Sequence, residues 1–151
     1  MREQNRRLIK LSNEIIKQDS NSISIPEGSF NTVDMSTFEG AAKVANAINN
    51  SQSLAQYVED NDNPILDVVD IVVTPGIRKS RDGGADMPCE DTRLILSDGT
   101  SLLSQSGGIA RSARFIVGFL GTVIHDGIKI RVCEQKLRNG NTIKNLEVVG
   151  K

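Results

Sequence analysis

At 151 residues, with 38% hydrophobic and 25% charged side chains, the chain has the length and composition of one globular domain carrying an extension. A net charge of −1 gives it no overall pull on a polyanion, and two cysteines with one histidine are too few for a disulfide framework or a thiolate metal site. No apolar run is long enough to cross a membrane, and the basic N-terminus lacks the unbroken apolar stretch of a secretory signal, so the expectation is a cytoplasmic protein with free Cys89 and Cys133.

Residues 2–17 place Leu8, Ile9, Leu11, Ile15 and Ile16 at mixed helical spacing and predict a short helix or adaptable arm. The Ser-, Asn-, Gly- and Pro-containing run QDSNSISIPEGS then reads as a linker, so residues 1–29 form an extension and 30–151 the domain. In STFEGAAKVANAINN, Ser36 as N-cap and Glu39 three residues later make a capping box ahead of a narrow apolar helix face that stops at Asn49-Asn50. From residue 65 the period changes to two: ILDVVDIVVT, bounded by Pro64 and Pro75, predicts a long strand. PGIRKSRDGGADMPCED predicts a wide irregular loop. Thr92–Ser97 and Thr100–Gln105 then pair across Asp98-Gly99, the dipeptide of a two-residue type I′ turn. GGIARSARFIVGFLG predicts an amphipathic helix opened by Ser106 or Gly108 and closed by Gly121, with Phe115 and Phe119 one turn apart on its apolar face. Strands IKIRVCEQKL and TIKNLEVV flank a second hairpin turn of the same kind, Arg138-Asn139-Gly140-Asn141.

The expected architecture is therefore α+β and mainly β. It is a five-stranded OB-fold-like Greek-key barrel with a helix between strands three and four, preceded by a helical N-terminal segment. In such barrels oligonucleotides bind across strands two and three, between the first and last hairpin loops. Charge falls unevenly on this scaffold. Residues 18–70 hold nine acids against Lys43 alone, whereas residues 107–151 hold eight bases against three acids. The first loop supplies Arg78, Lys79 and Arg81, and the last hairpin supplies Lys136, Arg138 and Lys144 around Asn139 and Asn141. Cations on both rims of one groove would displace condensed counterions from a phosphodiester strand. A two-residue turn at Asp98-Gly99 sets Arg93, Ile95, Ser97, Thr100, Leu102 and Ser104 on one face of the hairpin, available to bases, and Leu94, Leu96 and Leu103 on the core face. Of the few aromatic residues, Phe38, Phe115 and Phe119 read as packing, leaving Tyr57 and Phe30 as candidate stacking platforms.

The segments FNTVDMSTFEGAAKVANAI, LILSDGTSLLSQSGGIARS and EQKLRNGNTIKNLEVV, in that order, resemble the single-stranded DNA-binding proteins of tailed bacteriophages, chiefly small phages with protein-primed replication. The resemblance covers about residues 30–149. It implies a non-enzymatic protein, without cofactor, that coats exposed single strands during phage DNA replication in the host cytoplasm. Arg93 and Leu102 stand where relatives carry an aromatic residue. As partners it implies single-stranded DNA and replication proteins, with self-association open and no membrane.

Enzymatic signatures are missing: the chain has no G-x-x-x-x-G-K-[ST], G-x-S-x-G or H-E-x-x-H. His125, in GTVIHDG, reads as a solvated residue at a helix-to-strand turn. Asp60, Asp62, Asp67 and Asp70 suit an acidic loop and strand entry as well as they suit a metal-dependent nuclease. The rival of a different class is an OB-like protein-interaction or assembly module of a phage replication or virion complex, contacting its partner through the acidic segment at residues 59–70.

Overall fold

The structure is a computed structural model that describes residues 29–80 and 82–151. The predicted helix within residues 2–17, the linker up to residue 28 and Arg81 lie outside the described residues.

Two short strands precede the main sheet. Phe30–Asn31 (β1) pairs with the middle of the long strand, and Ser51–Ser53 (β2) follows the first helix, Phe38–Asn49 (α1). A two-turn helix, Leu54–Asp60 (α2), leads to Leu66–Arg78 (β3), Met87–Leu96 (β4) and Ser101–Ser104 (β5). Helix Gly107–Leu120 (α3) continues as a 3-10 helix over Gly121–Asp126, before the final hairpin of Ile128–Lys136 (β6) and Thr142–Gly150 (β7). The five expected strands are β3 to β7, with α3 between the third and fourth. The total is seven, not five, because β1 and β2 add short pairings at Val72–Val73 and along β5. Strand order is β2-β5-β4-β3-β6-β7, and the sheet curls into a half-barrel in a mixed α+β fold.

The curl has a physical source in β3. Its first residues, Leu66 to Val68, pair with β6, a bulge follows at Val68/Asp70, and the pairing with β4 runs on to Arg78. Bulges bend a strand and increase its twist, which lets one strand serve both ends of the half-barrel. The concave side holds Leu66, Val68, Ile71, Val73, Leu94, Leu96 and Leu102, packed against Ile109, Ala113 and Ile116 of α3. Outside, α1 sets Val44 and Ala47 on Val72 and Ile95. Below that patch the buried Asp70 receives Lys43 Nζ at 2.5 Å, the Thr32 hydroxyl at 2.7 Å and His125 Nε2 at 3.1 Å. His125 is therefore tied to β3, and α1, the residue after β1 and the 3-10 helix meet on one carboxylate.

Several local expectations change. Thr37, not Ser36, caps α1, its side-chain oxygen accepting from Gly40 N–H, while the Ser36 hydroxyl donates to Asp34. The wide loop shrinks to residues 79–86, since β3 continues through Pro75 and Gly76. Proline is tolerated there because β3 then pairs with β4 alone and its other edge needs no N–H donor. Both hairpins turn over three residues rather than two. Ser97-Asp98-Gly99 is closed by Gly99 N–H to Leu96 O and Arg138-Asn139-Gly140 by Gly140 N–H to Leu137 O, with glycine φ of 91° and 87°. In each, the middle side chain accepts from a following amide, Asp98 from Thr100 and Asn139 from Asn141. That is the chemistry of a type I turn with a glycine bulge.

The largest departure concerns the aromatic residues. Phe119 is 86% exposed, Phe38 82% and Phe115 56%. The buried face of α3 is Ile109, Ala110, Ala113 and Ile116, and the phenylalanines extend the apolar stripe beyond what the sheet can cover. Gly107–Asp126 is also long and apolar enough, at mean hydropathy 1.3, to meet the length and composition of a membrane span. Here its inner face is buried on the sheet, and Arg111 and Arg114 interrupt its outer face.

Candidate nucleic-acid interface

Arg78 ends β3, and its guanidinium donates to the backbone carbonyl of Gln105 in the β5–α3 connector. The Gln105 side-chain amide returns the contact, donating to Ile77 O at 3.2 Å and to Asp91 Oδ1 at 2.9 Å. These bonds fasten the β3–β4 hairpin to the connector and leave a shallow depression of about 950 Å³ lined by Ile77, Arg78, Lys79, Met87 and Gln105. Its two cations stand beside two exposed aliphatic side chains, Ile77 and Met87. Acids temper the charge: Lys79 Nζ reaches Asp86 at 3.2 Å, and the Asp82 carboxyl is held below its usual range by bonds from the Ser80 hydroxyl and Gly84 N–H.

Two residues past Gln105, α3 begins against the other basic hairpin. Ser106 caps the helix by accepting from Ile109 N–H, and Gly108 lies so close to the Lys144 carbonyl that a Cβ there would collide with it. The Ser112 hydroxyl bonds Asn145 Oδ1 at 3.4 Å one turn further on. Lys144 faces Glu134 across β6–β7, and Lys136, Arg138, Asn139 and Asn141 are exposed toward the tip. A second cleft, of about 520 Å³, opens beside Lys144 between α2, Ser104, Ile109 and the strands β6 and β7.

Arg78 and Lys144 thus flank one connector, Gln105–Gly108, although 66 positions separate them in the chain. The hairpin residues expected between them are elsewhere. With three turn residues, Leu94 pairs with Leu102 and Arg93 with Leu103, one step from the predicted register. A one-residue slip exchanges faces. Leu102 therefore joins the core at 0% exposure, correcting its assignment to the binding face.

Arg93 keeps its expected face, shared with Ile95 and opposite Leu94, but that face is covered rather than open. It is buried on the outer side of the sheet, donating to the Ser51 hydroxyl at 2.9 Å and the Thr74 hydroxyl at 3.3 Å. Burial lowers the affinity of its guanidinium for a proton, and the Asp91 carboxylate opposes that shift. Ser97 and Thr100 sit at the β4–β5 turn, the far end of a ten-residue strand from the β3–β4 loop. At ~3.3 Å per residue that end is about 30 Å away. Tyr57 is half-buried against the core on α2, a helix that Leu54, Tyr57 and Val58 at i, i+3 and i+4 after the cap Ser53 could have disclosed. Ile77, Met87 and Gln105 were not expected at the interface, and they carried no signal beyond their neighbourhood to Arg78 and Ser106.

Among the described residues no group of three His, Cys, Asp or Glu is placed to hold a metal ion. Comparison with known proteins finds no matching family model, no similar curated protein and no similar solved structure.

Proposed function

We propose that the chain is a non-enzymatic protein that binds single-stranded DNA without sequence preference and coats it during phage DNA replication. The strand order β5-β4-β3-β6-β7, with a helix after β5, supports reading the half-barrel as a five-stranded OB-fold with two added edge strands. The observation that carries the proposal is the shared connector. The depression beneath Arg78 and Lys79 and the cleft beside Lys144 both border Ser104–Ile109, which gives a path between two basic hairpins. Along it, Arg78, Lys79, Lys136, Arg138 and Lys144 would neutralise phosphates, with Asn139 and Asn141 as uncharged donors at the hairpin tip. Ile77 and Met87 would offer aliphatic surface to bases, so affinity per nucleotide should fall below that of aromatic platforms.

The test is retardation of labelled oligo-dT, with duplex DNA as control, across a salt series. Neutralising one phosphate of a single strand contributes about 0.7 to the slope of log affinity against log salt. Replacing Lys136, Arg138 and Lys144 together by alanine should therefore lower that slope by about 2. Failure to retard the single strand even at low salt would overturn the proposal.

A second reading has its own support. Phe115 and Phe119 are exposed on α3, with the Arg111 guanidinium 5.8 Å from the Phe115 ring centroid. An uncovered aromatic stripe of this kind suits a protein partner and favours the interaction-module alternative. Its surface would be α3 rather than the acidic segment, whose C-terminal part is built into β3.

A further inference from the structure

We infer that the cleft between α2 and the β6–β7 hairpin is a pocket for one nucleobase, turned out of the strand that passes Lys144. The inference rests on the single-stranded DNA reading and deepens it. Four observations carry it.

The cleft measures about 520 Å³, inside the range of about 300–1,000 Å³ found for small-molecule sites. Much of its lining is aliphatic: Leu54 and Ile109 are buried beneath it, and Val58 and Val132 flank it, with Asn63 and Cys133 beside them. Paired apolar walls of this sort can sandwich the faces of an extruded base when aromatic side chains are lacking. Its rim is polar, as a base edge requires. Glu134 offers acceptors to an exocyclic amine and Lys144 donates to a carbonyl. The Ser104 oxygen accepts from Ser106 N–H, which leaves the hydroxyl proton to donate. Finally, the cleft opens where Lys144 belongs both to the basic hairpin and to the pocket rim, so a phosphate held by that hairpin would carry its base to the mouth.

The mouth can be closed without disturbing the core, because Ala55 lines the cleft yet is exposed on α2. Ala55→Trp should fill it, and Gln56→Trp, exposed on the same helix outside the lining, serves as the control. Fluorescence anisotropy with a short mixed-base oligonucleotide should show Ala55→Trp binding about ten-fold more weakly than the parent, with an unchanged salt slope and the control at the parental value. On a fully abasic strand of equal length, which keeps its phosphates, parent and Ala55→Trp should bind alike. Equal affinity of parent and Ala55→Trp for the intact strand would overturn the pocket and leave the DNA reading standing, as would an equal loss on both strands. No binding by the parent itself would overturn both. Far-UV circular dichroism of each variant separates a plugged cleft from a misfolded chain. Should Ala55→Trp misfold, Ala55→Leu gives a smaller plug with the same expected pattern.

Discussion

Leu102→Ala is the sharpest probe of the β4–β5 hairpin. Leu102 has no exposed surface, faces Leu94 across the ladder and packs into the cluster that includes Ile109. Truncation removes three carbons, worth about 0.8 kcal/mol each in transfer from water. The cavity left behind adds to that, because close-packed neighbours relax only in part, so the expected loss is about 3–4 kcal/mol. Leu103, half-buried on the opposite face beside Arg93, should lose only about 1 kcal/mol on the same truncation. Urea unfolding followed by circular dichroism reads the difference. With a slope of about 1.5 kcal/mol per molar urea, the Leu102→Ala midpoint should fall by about 2 M and that of Leu103→Ala by less than 1 M. A reversed order, with Leu103→Ala the more damaged and Leu102→Ala near the parent, would refute the three-residue turn. It would return Leu102 to the face of Arg93 and Ile95, where a two-residue turn puts it.

Arg93→Leu should cost about 1–3 kcal/mol of stability by leaving the Ser51 and Thr74 hydroxyls without their donor. In the oligo-dT salt series its slope should match the parent; a slope lower by about 0.7 would instead place Arg93 on a phosphate. Gly108→Ala should destabilise by about 1–3 kcal/mol, because the new methyl group meets the Lys144 carbonyl and pushes α3 off β7. Gly107→Ala, whose Cβ would meet open space, should be neutral or stabilising by up to about 1 kcal/mol. Thermal unfolding of the pair checks both, and similar melting temperatures for the two would remove the close approach from the account.

The elements that were legible in the sequence are those whose signal is local. The β-branched run at 66–74 commits to a strand because its side chains suit a pleated, half-buried surface. Ser106 and Gly121 bracket α3 by chemistry confined to the helix ends. Both hairpins announce themselves through Asp98-Gly99 and Asn139-Gly140. The same dipeptides serve two-residue and three-residue turns, however, and the choice between them decides every face assignment downstream. Leu102 was placed on the wrong surface for that reason alone, whereas Arg93 keeps its expected face and is buried because β2 and α1 cover it.

Of the candidate site, the cations could be read as residue types, but their company could not. Phe115 and Phe119 have the spacing of a core stripe, and only the width of sheet beneath α3 shows that they stay uncovered. The sequence by itself determined the order of the main strands and helix, the positions of the turns and the two basic hairpins, because backbone preference and side-chain period act over a few residues. Tertiary structure alone decided that β3 bends far enough to serve both ends of the sheet, and that the Gln105–Gly108 connector touches Arg78 on one side and Lys144 on the other. Contacts across 27 and 36 positions depend on how a sheet closes, and sheet closure is a property of all its strands together.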